Sequence, residues 1–142
     1  MLLLADLAAT SDAVGATPSR RAKVAALAST LRAASPQEAP VVGHYLAGSL
    51  RQRRTGVGWR SLQGPPAPAA SASLTVLEVD AAFEALAGLA GPGSQRARAD
   101  LLAGLLARAT ASEQRYLAGL AVGELQHAAQ DRSAGFSPGR ST

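Results

Sequence analysis

The sequence has no cysteine, which excludes a disulfide framework, a zinc knuckle and a thiol nucleophile together. Isoleucine and asparagine are also missing, and the aromatic residues amount to one Trp, two Tyr and two Phe. So few β-branched and aromatic side chains leave little from which to build strands. Lysine occurs once, as Lys23, so chemistry that needs a lysine has a single candidate. No long apolar run exists either: the longest uncharged stretch, Ser61 to Leu77, is broken by three prolines. Met1-Leu2-Leu3-Leu4 has the look of a signal-peptide start, but Asp6 interrupts it and no basic segment precedes it. The expectation is a soluble cytoplasmic chain with no membrane partner.

What is present is alanine and leucine, 33 and 20 residues of the 142, a helix-former's composition. The length suits about one domain, and the expected class is all-α with about six helices. The basic residues are thirteen arginines and Lys23, a bias that also suits GC-rich coding. Their placement is uneven. Residues 1–62 hold eight bases and three acids, a net +5, and 63–142 hold six bases and seven acids, a net −1. A localised basic excess points to a polyanionic partner.

Apolar spacing and capping signals predict helices over about Leu2–Val14 and from Thr17, read as an N-cap with Pro18 following it, to before Ser35. The second helix carries Val24, Leu27, Ala28 and Leu31 as an amphipathic stripe, with Arg20, Arg21 and Lys23 near its start, where they oppose the helix dipole. Ser35-Pro36-Gln37-Glu38 reads as a capping box that opens a third helix, interrupted or restarted by Pro40, with Val42, Tyr45, Leu46 and Leu50 inside. The proline- and alanine-rich stretch 64–73 reads as a linker. Beyond it, Thr75 to Glu78 is a second capping box, for a helix with Val79, Phe83, Leu86 and Leu89 that stops at Gly91-Pro92. Ser94 is read as the cap of a fifth helix with Leu101, Leu102, Leu105 and Leu106. Thr110 to Glu113 is a third box, for a sixth helix with Tyr116, Leu117, Leu120 and Leu125. Residues 1–129 form the expected domain, and the polar residues beyond them the expected disordered tail, 130–142. Tyr45-Leu46-Ala47-Gly48 recurs as Tyr116 to Gly119. A shifted pairing of Gly48 to Gln52 with Gly123 to His127 suggests two related halves.

The most unusual segment is Arg51 to Arg60. Arg51, Arg53, Arg54 and Arg60 offer guanidinium forks for phosphate oxygens, and Gly56 and Gly58 permit close backbone approach. The alternative is a basic helix end in solvent, its arginines complementing the C-terminal dipole and Trp59 plugging the core. Arg20, Arg21 and Lys23 are a second candidate phosphate-facing group, against the plainer reading of a solvated helix face. Asp80 and Glu84, at i and i+4, could share a cation, against the plainer reading of an acidic pair solvated on a helix face. His44 and His127 lack the spacing of metal ligands, and no metal site is expected. No nucleotide-binding, nucleophile-elbow or zincin motif is present, so no catalytic residue is assigned.

Several segments together resemble the N-terminal DNA-binding domain of ATP-dependent DNA ligases of the actinobacterial type. They are Leu2 to Leu31, Leu46 to Leu62 with Arg-Arg-Thr-Gly-Val-Gly-Trp, Ser73 to Val76 followed by Val79 to Phe83, Glu113 to Leu117, and Gly123 to Leu125. The resemblance covers about Met1 to Leu125 in order. It implies the first part of an all-helical, pseudo-twofold domain that packs on the minor groove of nicked duplex DNA through its sugar-phosphate backbone. Each half would present a turn after a helix. The first turn maps to Arg51 through Gly58; in the second, Gln126-His127 replaces the family's arginine and glycine, so that turn is not expected to meet phosphate. Ligases use ATP and magnesium to adenylate a lysine in K-x-D-G, whereas Lys23 is followed by Val24-Ala25-Ala26. No cofactor is therefore expected in this chain, and no ligase activity from it alone. The resemblance implies a non-catalytic fragment of a repair, replication or recombination ligase, nucleoid-associated. The competing reading is a helical interaction module that dimerises through exposed apolar faces.

Overall fold

The computed structural model describes the backbone of residues 1–52, 55–57 and 59–136; the side chains of Trp59, Arg60 and 124–136 lie outside the description. Among the described residues six α-helices follow one another: α1 Leu4–Gly15, α2 Arg20–Ala33, α3 Ala39–Leu46, α4 Val76–Gly88, α5 Ser94–Ala107 and α6 Ala111–Phe136. A 3₁₀ turn, Trp59–Leu62, lies in the long α3–α4 connection. The all-α class and the six helices are as the sequence predicts.

The helix starts follow a shared rule. At α1, α4 and α6 a carboxylate three residues inside reaches back to the N-cap amide, Asp6 to Leu3, Glu78 to Thr75 and Glu113 to Thr110, and Glu38 reaches back to Ser35 in the same way across the turn that leads into α3. In the last three the Ser or Thr hydroxyl also accepts from the carboxylate residue's own amide, completing the expected capping boxes. Leu3 has no side-chain acceptor, so its box is half formed.

These starts come two per half, and the halves are joined at the entrances of their first helices. Leu3 and Thr75, at the entrances of α1 and α4, pair as an isolated antiparallel bridge. Leu4 N donates to Leu74 O and Val76 N to Leu2 O, a reciprocal exchange. Helix α1 packs on α2 and α6 as α4 packs on α5 and α3. Between them lies one core, with Leu4, Leu7, Val42, Tyr45, Leu74, Val76, Val79, Phe83, Leu86 and Leu120 almost wholly enclosed. Gly48 and Gly123, matched by the shifted repeat alignment, meet outside this core: a Cβ on Gly123 would run into the Gly48 carbonyl oxygen.

That close approach separates two glycines of the same helical context. Gly104, in α5, has open space around it, and Gly104→Ala should stabilise by about 0.5–1 kcal/mol through helix propensity. Gly123→Ala gains the same propensity but drives a methyl against backbone, and should destabilise by about 1–2 kcal/mol net. Thermal unfolding of the two variants checks this. Equal shifts would mean that the halves do not meet at this glycine.

Several expectations need correction. The N-cap of α2 is Ser19, which accepts from Ala22 N, whereas Thr17 Oγ1 accepts from Ser19 N in the turn before it. Ser94 is the first helical residue of α5 after Gly93, whose φ of 82° suits glycine. Helix α3 starts at Ala39, so Pro40 stands in its first turn, where no intrahelical N–H is needed. It ends at Leu46, and Leu50 is buried from the loop that follows. The stripe of α2 is amphipathic but not buried: no residue of α2 is enclosed, and Val24 and Leu31 are 58% and 42% exposed. Helix α6 continues to Phe136, so 130–136, expected as disordered tail, are helical backbone; 137–142 lie outside the described residues.

Candidate nucleic-acid interface

Helix α3 stops because Gly48 takes a φ of 86°, a left-handed conformation that turns the chain out of the helix. The next stretch is pinned by burial at intervals. Leu50, Gln52, Thr55 and Val57 face inward, and Arg51 and Gly56 are left outside. Alternating anchors fix which side of a loop meets solvent, and here that side carries a guanidinium and a glycine.

Arg51 is not a loose surface cation. Its Nε donates to Asp80 Oδ1 at 3.0 Å, and its Nη2 donates to Asp80 Oδ2 at 3.1 Å and Glu84 Oε1 at 2.7 Å. Gln52 Nε2 joins the same pair, 3.0 Å from Asp80 Oδ1 and 2.9 Å from Glu84 Oε1. Hydrogen bonding to Asp80, then its charge, holds Arg51 above the ordinary guanidinium value, with Glu84 adding to the effect. Asp80 and Glu84 do share a cation, and it is the loop's own arginine. The clasp ties the loop to α4, and it offsets Arg51's positive charge with two carboxylates.

Gly56 has a φ of 77°, which L side chains rarely adopt. Arg98 of α5 lies over it. Arg98 Nε donates to Thr55 O at 3.1 Å, and its Nη2 donates to Leu89 O at 3.0 Å, just past the end of α4. A Cβ at Gly56 would collide with that guanidinium. Val57 N donates to Thr55 Oγ1 at 3.3 Å, closing the turn.

Of the other expected site residues, Arg53, Arg54 and Gly58 lie outside the described residues, as does the side chain of Arg60. Arg20 and Arg21 are exposed and Lys23 half-buried at the start of α2. No hydrogen bond or ion pair among the described residues joins these three to the 51–57 loop. In the second half, residues 123–127, the counterpart of the first turn, are helical backbone inside α6, so no turn forms there. Sequence reasoning misses Arg98, because its partners are backbone carbonyls and carry no side-chain signature.

Among the described residues no group of three or more His, Asp or Glu could hold a metal ion. Nor is any helix there long and apolar enough to cross a membrane. A groove of about 350 Å³ runs between α1, the end of α3 and α6, with Asp12, Tyr45, Gly48, Arg115 and Tyr116 on its walls. Tyr116 Oη donates to Tyr45 O at 3.0 Å across its floor, and burial raises the pKa of both phenols far above the usual value. Neither ionises in ordinary buffers.

The chain is 59% identical over 133 residues to a probable DNA ligase of Kineococcus radiotolerans, a match that covers 92% of this chain and 26% of that protein. Probable DNA ligases of Beutenbergia cavernae and a Nocardioides species are 57% and 52% identical, again over 92% of this chain and 25% and 26% of theirs. The chain thus spans about a quarter of the length of the curated relatives it matches. No solved structure matches it. The family model for the DNA ligase N terminus matches residues 60–134, past Leu125 where the resemblance read from motifs stops. With more than half of its length matched by that model, the chain belongs to the DNA ligase N-terminal family.

Proposed function

We propose that this chain binds duplex DNA, nicked duplex above all, through the sugar-phosphate backbone, without reading sequence and without catalysis of its own. It does so as the N-terminal part of an ATP-dependent ligase of repair, replication or recombination, in the cytoplasm at the nucleoid. The observation that carries this reading is the loop after α3. Buried anchors at Leu50, Gln52, Thr55 and Val57 turn Arg51 and the left-handed Gly56 outward, in the half of the chain with the basic excess. Such a loop can offer guanidinium groups and backbone amides to phosphates.

Nucleotide chemistry has no fitting residues here. Lys23, on α2, is followed by Val24-Ala25-Ala26, not by the aspartate and glycine of a K-x-D-G motif. ATP and magnesium accordingly belong to the remainder of a full-length ligase in this reading, and no step is derived through them.

The test is a titration of nicked duplex at several salt concentrations. Neutralising Z phosphates gives a slope of about −0.9Z in log K against log salt, and Z of about two or three is expected, since the clasp offsets Arg51 and the second turn is helix. No binding at low salt, or binding indifferent to salt, would sink the proposal.

A second reading is favoured by one observation, the bare apolar face of α2 with Val24 and Leu31 exposed. There the chain pairs with another copy or a protein partner, and its arginines serve solubility. It expects a dimer on sizing that DNA leaves unchanged, and a monomer that shifts nicked duplex removes it.

A further inference from the structure

Arg98 stands out among the described basic residues because it is directed inward, onto backbone. Arg96, two residues earlier, is exposed and 3.7 Å from Asp100 on its own helix, and Arg108 pairs with Glu78 at the surface. Arg98 instead reaches out of α5 to two carbonyls that belong to different parts of the chain. Thr55 O lies in the loop that follows α3, and Leu89 O just beyond the end of α4. One planar group therefore joins three segments, and its plane closes over Gly56.

We infer that Arg98 is a positioning residue for the phosphate-facing loop: its guanidinium clamps Thr55 O and Leu89 O, and so holds the Gly56 turn in the shape that receives the DNA backbone. The inference rests on the DNA-binding reading above and adds a residue from the opposite half of the chain. The chemistry requires arginine. An ammonium can follow one carbonyl or the other, but it lacks the rigid fork whose Nε and Nη2 reach both at about 3 Å. Gly56 is required for the same reason, since a side chain there would displace the fork. The loop is thus held at two points, by the Arg51 clasp on α4 and by the Arg98 clamp from α5. The first acts through a loop side chain and the second through loop backbone.

Two variants separate this role from charge and from direct contact with DNA. Arg98→Lys keeps the net charge and Arg98→Ala removes it. Both should weaken binding of nicked duplex by about tenfold or more, because each forfeits hydrogen bonds from a charged donor. Both should leave the salt slope unchanged, because every cation that meets phosphate is still present. In the protein without DNA, amide exchange at Gly56 and Val57 should speed up by about tenfold or more in both variants, while helical circular dichroism is retained. Wild-type affinity in Arg98→Lys would overturn the proposal, since charge alone would then suffice. A fall in slope of about 0.9 in either variant would overturn it too, by making Arg98 a direct partner of phosphate. Unchanged exchange in both variants would show that no clamp exists. If the wild-type protein binds no duplex, the DNA-binding reading fails and the positioning role fails with it, whereas faster exchange would still establish the clamp itself.

Discussion

Glu38→Ala is expected to lower the unfolding free energy by about 3 kcal/mol or more, a large share of the roughly 5–15 kcal/mol that holds a domain of this kind together. The carboxylate is 2% exposed, and its two oxygens accept from different places. Oε1 takes the Ser35 amide at 2.9 Å and caps the turn into α3; Oε2 takes the Leu2 amide at 2.9 Å and anchors the entrance of α1. Alanine strands the buried Leu2 amide away from water and removes the acceptor of the Ser35 amide, each at the cost of a hydrogen bond to a charged group. Gln does little better. Its amide offers one acceptor, and its NH₂ would face a second N–H donor.

The same bonds set a pH dependence. The Ser35 and Leu2 amides, in that order, hold Glu38 below the ordinary value of 4.5, against an opposing push from burial. A lowered folded-state value means that the stabilisation is complete above 4.5 and disappears as pH falls below it through the lowered value. Chemical denaturation from neutral pH down to about 3 should show the acid limb flattened in Glu38→Gln. An identical acid limb in the variant would mean that Glu38 is not the carboxylate concerned.

The second large effect is expected on DNA. Replacing Arg51, Arg53 and Arg54 together with alanine should weaken nicked-duplex binding by about a hundredfold at low salt, to the same degree for every sequence. The salt slope should shrink by roughly one for each phosphate that no longer meets a cation. Removal of Arg51 acts twice. It takes away a cation and leaves Asp80 and Glu84 uncompensated beside the loop, where they repel phosphate. Replacing Arg132 and Arg140 removes two positive charges elsewhere in the chain and is the control. If these weaken binding as much as the loop changes do, overall charge carries the interaction and the loop assignment falls.

The capping boxes at Ser35, Thr75 and Thr110 are legible in the sequence because hydroxyl and carboxylate stand three residues apart, and no tertiary contact is needed to join them. The exposure of α2 is not. Periodicity names the face a helix would bury, and only the rest of the fold decides whether something covers it. Ser19 and not Thr17 caps α2: two hydroxyls two residues apart offer the same chemistry, and backbone geometry chooses between them. The end of α6 escapes a reading by composition, because a polar stretch suggests loop although Gln, Arg and Ala are all competent helix formers. At the site, Asp80 and Glu84 are legible as two carboxylates on one helix face, but whether they are solvated or share a cation, and that the cation is Arg51, depends on how α3 and α4 pack. Arg98 is illegible as anything but a surface charge.

Leu2 has a consequence for how the protein is produced and tagged. Its amide is held by Glu38, its carbonyl receives Val76 N, and its side chain is buried, whereas Met1 is 92% exposed. Trimming the chain by two or three residues would delete the tie that laces the two halves together, however little sequence it removed. An affinity tag ahead of Met1 would project into solvent and leave that lacing intact. Leu2 is therefore an architectural position, and a polypeptide started beyond it forfeits both of these bonds.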